Sequence, residues 1–198
     1  MQFDLTRYSE EVRSILALDG SGERLMPLAQ GTCSSDEARL RLEASAASTL
    51  FPGARSPESA LCGLYLYFSC RDEAHNLAQD ISTAEGSFWH GIVHRQEPDP
   101  GNAAYWFRQV GTHATFPALA SAAAELGVNF GSQWDPFKFI DFCEKCGKRP
   151  ETPEQQHARA VQLVEWQLLF AYCAAPKSQK ITNKSFIITH LRVVQRVV

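Results

Sequence analysis

Helix-start signals constrain this chain more than any other feature. At three of the expected helix starts, a residue able to cap a helix stands directly before proline: Ser56-Pro57, Asp135-Pro136 and Thr152-Pro153. Proline at the first helical position gives up an N–H that has no partner there, and the residue before it accepts a hydrogen bond from an orphan amide of the first turn. Thr152 with Gln155, and Ser34 with Glu37, have the capping-box spacing. Gly111, Gly127 and Gly147 stand where helices should stop, because glycine enters the left-handed region at little cost. These signals predict eight helices, near residues 5–18, 35–49, 57–80, 87–96, 102–110, 117–126, 136–146 and 153–174. The connections between them are short, as in packed helical proteins.

Apolar periodicity supports the same elements. Leu61, Leu64, Tyr65 and Phe68 recur at helical spacing in the third, and Val161, Val164, Leu168 and Tyr172 in the last, which marks both as central. No internal repeat stands out. The predicted fold class is an all-α, orthogonal multi-helix bundle occupying residues 1–176 as one domain. Residues 177–198 read differently. Ile181–Val198 is rich in Ile, Val and Thr, so this stretch is expected to be a basic, β-prone tail or appendage.

At 198 residues and 44% hydrophobic, the chain can bury a core without a structural metal or disulfide. Net charge is −3, and the five Lys or Arg residues after Ala175, with no acid among them, leave residues 1–176 at −8. An acidic body repels a phosphate backbone, which argues against a nucleic-acid partner. No apolar run reaches the roughly 18 residues of a membrane span. The first residues lack the basic-then-apolar pattern of a secretory signal. The six cysteines are spread through predicted helices, as expected of reduced, partly buried thiols. Together these features predict a cytoplasmic protein.

Polar chemistry concentrates between Asp72 and His113, where four of the six histidines fall. His90 and His94, at i and i+4, share a helical face one turn apart, so both imidazoles can reach one ion. Asp72 and His75, at i and i+3, pair similarly on the preceding helix. The four form a candidate site for one divalent metal (zinc, iron or manganese) in a bundle core. Glu97 continues the His90/His94 stripe, although Pro98 biases it away from helical geometry and weakens it as a ligand. Glu73 and Glu97 are the candidate general bases. Arg95 and Arg108 lie among aromatics that include Tyr105, a setting suited to gripping a small anionic molecule, with His113 at the rim.

The segment Phe88-Trp-His-Gly-Ile-Val-His-Arg-Gln-Glu-Pro-Asp99, then Asn102-Ala-Ala-Tyr-Trp-Phe-Arg-Gln-Val-Gly111, resembles a family of uncharacterised bacterial and fungal proteins. Gly63-Leu-Tyr-Leu-Tyr-Phe-Ser-Cys-Arg-Asp-Glu-Ala-His75 is similar to it too. The likeness covers residues 56–142 and leaves out the tail. It implies where the site lies and implies no reaction.

Other chemistries find little support. Cys143-Glu-Lys-Cys146 is half of a zinc ribbon with no second pair, and reads as two helix-borne cysteines; Cys62, Cys70 and Cys173 read as small core residues. The zinc-protease signature fails because Gly91 follows the first histidine. There is no nucleophile elbow and no phosphate-binding loop. Two functions remain. One is a metal-dependent, hydrolase-like enzyme. The other is a non-catalytic helical binding or interaction module in which the His/Arg cluster is a structural hydrogen-bond network.

Overall fold

A computed structural model describes residues 3–178, and they form an all-α multi-helix bundle. The helices are α1 (Glu10–Leu16), α2 (Asp36–Glu43), α3 (Ala47–Leu50), α4 (Pro57–Tyr67), α5 (Arg71–Asp80), α6 (Ala84–Gln96), α7 (Pro100–Val110), α8 (Phe116–Glu125), α9 (Pro136–Gly147) and α10 (Pro153–Ala174). The proline-led starts hold at α4, α9 and α10, although Ser56 makes no side-chain cap bond at α4. Asp135 caps α9 by accepting from the amides of Phe137 and Lys138, and Thr152 caps α10 by accepting from Gln155. The cap of α2 is Ser35, one residue later than the spacing suggests. Gly111 and Gly127 take positive φ, whereas Gly147 closes α9 outside the left-handed region.

Among the described residues, ten α-helices replace the eight expected because two long ones are broken. The stretch 35–49 divides at Ala44–Ala46 into α2 and α3. The stretch 57–80 divides at Ser69, whose φ is +58°. There the amide of Cys70 donates to the carbonyl of Tyr65, a helix-ending bond normally set up by a left-handed glycine. Serine in that role gives no sequence signal. The bend also carries a disulfide between Cys33 and Cys70, and beside it the amide of Ser34 donates to the carbonyl of Phe68. The expectation of six reduced cysteines is therefore corrected: Cys33 lies before α2 rather than within a helix, and the bend turns Cys70 towards it. Cys62, Cys143, Cys146 and Cys173 are free and buried. Burial pushes the thiols of Cys62, Cys143 and Cys173 up, away from the reactive thiolate.

Helix α10 runs through two hydrophobic clusters. Trp166, Leu169 and Phe170 join a cluster built on α4, α5 and α6, while Val161, Val164 and Leu168 join one built on α8 and α9. Helix α6 is buried along its length from Gly86 to Gln96 and packs most extensively on α7 and α5. Its approach to α7 depends on Gly91, where a Cβ would stand 2.8 Å from the Phe107 ring. Past α10, the amide of Lys177 donates to the carbonyl of Gly53, and Pro176 bridges Ala54, so the chain stays docked through this point. The β-prone character expected further along falls on residues 179–198, outside the described ones. No helix among the described residues is long and apolar enough to cross a membrane.

Arg95 fixes α6 to α10. Its guanidinium forks onto the Glu165 carboxylate, with Nη1 3.2 Å from Oε1 and Nη2 donating to Oε2, and Nη2 also reaches Gln162 Oε1 at 3.3 Å. The ring of Phe139 lies 4.5 Å beneath it. Both side chains of the pair are essentially sealed from solvent, at 1% and 0% exposure. Removing one member strands the other charge in an apolar core. Glu165→Ala should therefore cost about 3–5 kcal/mol in urea denaturation, while the apolar double replacement Arg95→Met/Glu165→Leu should regain most of that loss.

Candidate metal centre

The bend before α5 and the crossing of α5 on α6 bring three imidazoles together. His75 comes from α5, His90 and His94 from α6, and one ligand atom from each lies within 4.8 Å of the others. The rings of His90 and His94 stack at 4.8 Å and 11°, as their i, i+4 spacing allows. His75 stands edge-on to both, at 4.7 and 5.2 Å. Trp106 of α7 covers His90, its ring 4.0 Å away and nearly parallel at 17°. Tyr105 meets Trp106 edge-on at 5.2 Å and is itself exposed.

The polar accounting of this cluster is unusual. His90 is 2% exposed, yet neither of its ring nitrogens has a hydrogen-bond partner. No hydrogen bond joins the three histidines among the described residues. A buried polar atom left unpaired costs about 1–3 kcal/mol. Burial, followed by the neighbouring His94 and His75, pushes His90 down to about 4. Burial also lowers His94, against the opposing pull of Glu97. Both are thus neutral near pH 7, the state in which imidazole ligates metals.

Glu97 ends α6 beside the cluster, with Oε2 2.9 Å from His94 Nδ1 and Oε1 3.5 Å from Arg71 Nε. A carboxylate on one ring nitrogen orients an imidazole and leaves the other nitrogen free to ligate. Glu97, weak as a ligand in sequence, is thereby placed beside His94 instead.

The other nominated residues are dispersed. Asp72 does not join the histidines; its side chain is 81% exposed and lies 3.1 Å from Arg71. Helix α5 buries Ala74 and Ala78, and a carboxylate at position 72 keeps its hydration by facing away from that side. Glu73 turns towards α2, 4.0 Å from Arg39. Arg95 is committed to Glu165, and Arg108 is exposed on α7. His113 belongs to a separate group: its Nδ1 is 2.8 Å from Thr115 Oγ1 and its Nε2 3.9 Å from Glu85. Two neighbours of the cluster escaped sequence reasoning. Arg71 precedes His75 by four residues, a spacing that was readable. The ring contact of Trp106 crosses helices and left no pattern.

No family model, curated protein or solved structure matches this chain. Its chemistry is read from its own residues.

The histidines make stability depend on pH in a definite direction. With the folded value of His90 near 4 and the unfolded value near 6.5, the unfolded chain binds more protons between them. The metal-free protein should hold full stability above about pH 6.5 and lose it as pH falls towards 4. Denaturation midpoints at a series of pH values check this, and His90→Asn should flatten that part of the profile.

Proposed function

We propose that this chain is a metalloprotein in which His75, His90 and His94 bind one divalent transition metal and leave a position open for exchangeable ligands. The observation that carries the proposal is His90, buried with two unpaired ring nitrogens between the imidazoles of His75 and His94. A metal ion would satisfy such a nitrogen, and a three-histidine set suits zinc foremost, with iron and manganese as alternatives. An ion held this way supplies Lewis-acid chemistry and lowers the proton affinity of bound water, which makes hydrolase-like chemistry the reaction class.

The protein's own residues divide the remaining work. Glu97 orients His94 through Nδ1 and is the carboxylate able to take up a proton beside the site, a role for which Glu73, directed at Arg39, is badly placed. Trp106 holds the plane of His90 and shields it from water. Arg71, linked to His94 through Glu97, is the guanidinium a small anionic substrate would meet. The rival role is an interaction module in which the His/Arg cluster is a structural hydrogen-bond network, and the bonds of Arg95 to Glu165 and Gln162 are of that kind.

Elemental analysis of protein purified without chelator tests the proposal. About one metal per chain is expected, absent from a His90→Ala/His94→Ala variant, with Glu97→Gln weakening affinity about 10- to 100-fold. Metal-free protein that takes up neither zinc nor cobalt(II) on titration, and whose histidine variants lose only thermal stability, would leave the interaction module standing instead.

A further inference from the structure

The disulfide between Cys33 and Cys70 stands at the joint through which α5 reaches the three histidines. Cys70 is the residue before α5, and His75, the ligand that α5 supplies, lies in the first turns that follow. Helix α5 has little else to hold it. Its buried side chains are only Ala74 and Ala78, whereas α6, which carries His90 and His94, is buried from Gly86 to Gln96 and pinned by Arg95. A helix with so few apolar anchors belongs to the low-stability end of a fold, so a covalent tie at its start decides how well it keeps its place.

The tie joins α5 to the segment before α2. Beside it the amide of Ser34 donates to the carbonyl of Phe68, and the side-chain amide of Gln30, on the same segment, lies against the Arg71 guanidinium. Arg71, next to Cys70, stands 3.5 Å from Glu97, and Glu97 stands 2.9 Å from His94. Two of the three imidazoles thus take support through residues around this one bond. The bond is also open to attack. Cys33 is half-buried between exposed Thr32 and Ser34, while Cys70 is 2% exposed. Cys70 occupies the N-cap position of α5, where the helix dipole favours a thiolate and makes Cys70 the better leaving group. The other four cysteines are free and buried, so they do not compete for a reductant or an oxidant.

We propose that Cys33–Cys70 is a reducible bond that sets the affinity of the histidine centre. Oxidised, it holds His75 in place for tight metal binding; reduced by a dithiol, it frees the start of α5 and weakens the site. A thiolate of the dithiol bonds to Cys33 Sγ as the Cys33–Cys70 bond breaks, and Cys70 leaves with the electron pair. The second thiol then displaces Cys33, so the reductant ends as a disulfide and its two hydrogens end on the two cysteines. The inference rests on the metalloprotein reading, because it concerns the control of that same site.

The test compares zinc affinity, by competition with a chromophoric chelator, in two preparations of the full chain. One is oxidised with diamide; the other is reduced with dithiothreitol and desalted under argon before metal is added. Thiol counts verify the two states, four per chain in the first and six in the second. Reduction should weaken zinc binding about 10- to 100-fold, the effect of losing support around a ligand, and reoxidation should restore it. Cys33→Ser, a change at a partly exposed site, should bind zinc as weakly as the reduced protein, whether or not it has met dithiothreitol. Equal affinities in the two states, or tighter binding after reduction, would overturn the inference and leave the metal centre standing. So would a bond that diamide does not form or that dithiothreitol opens only in denaturant, or an affinity change that persists in Cys33→Ser. Oxidised protein that binds no zinc at all would instead remove the metalloprotein reading, and this inference with it.

Discussion

The buried Arg95–Glu165 pair is the interaction from which the rest of the architecture takes its bearings. Helix α10 is the spine shared by both hydrophobic clusters, and Arg95 is the polar link that sets α6 against it. A charge sealed in a core tolerates little sliding, because each displacement breaks a fork of hydrogen bonds without water to replace them. Rotation of α6 about its axis is therefore fixed on the α10 side. His94 and Arg95 are adjacent in sequence, so the same anchorage decides where the imidazoles of His90 and His94 project on the other side.

That second side is held by close approach. Gly91 allows Phe107 of α7 to pack where a side chain would otherwise stand, and the same closeness lets Trp106 lie over His90. Gly63 plays the matching part between α4 and α6, where a Cβ would sit 2.8 Å from the Trp89 ring. Helix α6 is thus gripped on several faces, which is how it can keep the His90 ring dry and both its nitrogens unpaired. A loosely held helix would turn such groups to water. Their retention in the interior implies that packing elsewhere offsets a real local cost.

Much of this was legible in sequence, for physical reasons that differ from residue to residue. The starts at Pro136 and Pro153 were readable because capping is a local interaction between near neighbours, and the start at Pro57 because proline suits the first turn even where Ser56 makes no cap bond. The His90/His94 face was readable because helical periodicity alone aligns the two rings. His75 could be nominated, but only the bend at Ser69 directs it at the others, and a left-handed serine carries no signature. Arg95 was misjudged as a ligand-binding group because its aromatic setting suits an anion grip and a buried ion pair equally well; Glu165, seventy residues away, decided between them. Asp72 followed the same spacing logic as His75, yet hydration of a carboxylate outweighed the company of histidines.

The stacking of Trp106 on His90 makes the centre optically self-reporting. An indole 4.0 Å from an imidazole shares its excited state with whatever happens on that ring. Protonation of the imidazole, or arrival of an ion with unpaired electrons on it, opens a route for the excitation to decay without emission. A closed-shell ion such as zinc opens no such route and mainly stiffens the pair. Light emitted by this one tryptophan thus distinguishes the electronic character of an occupant without an added dye, because the fold has placed a fluorophore in van der Waals contact with the atoms that would hold it.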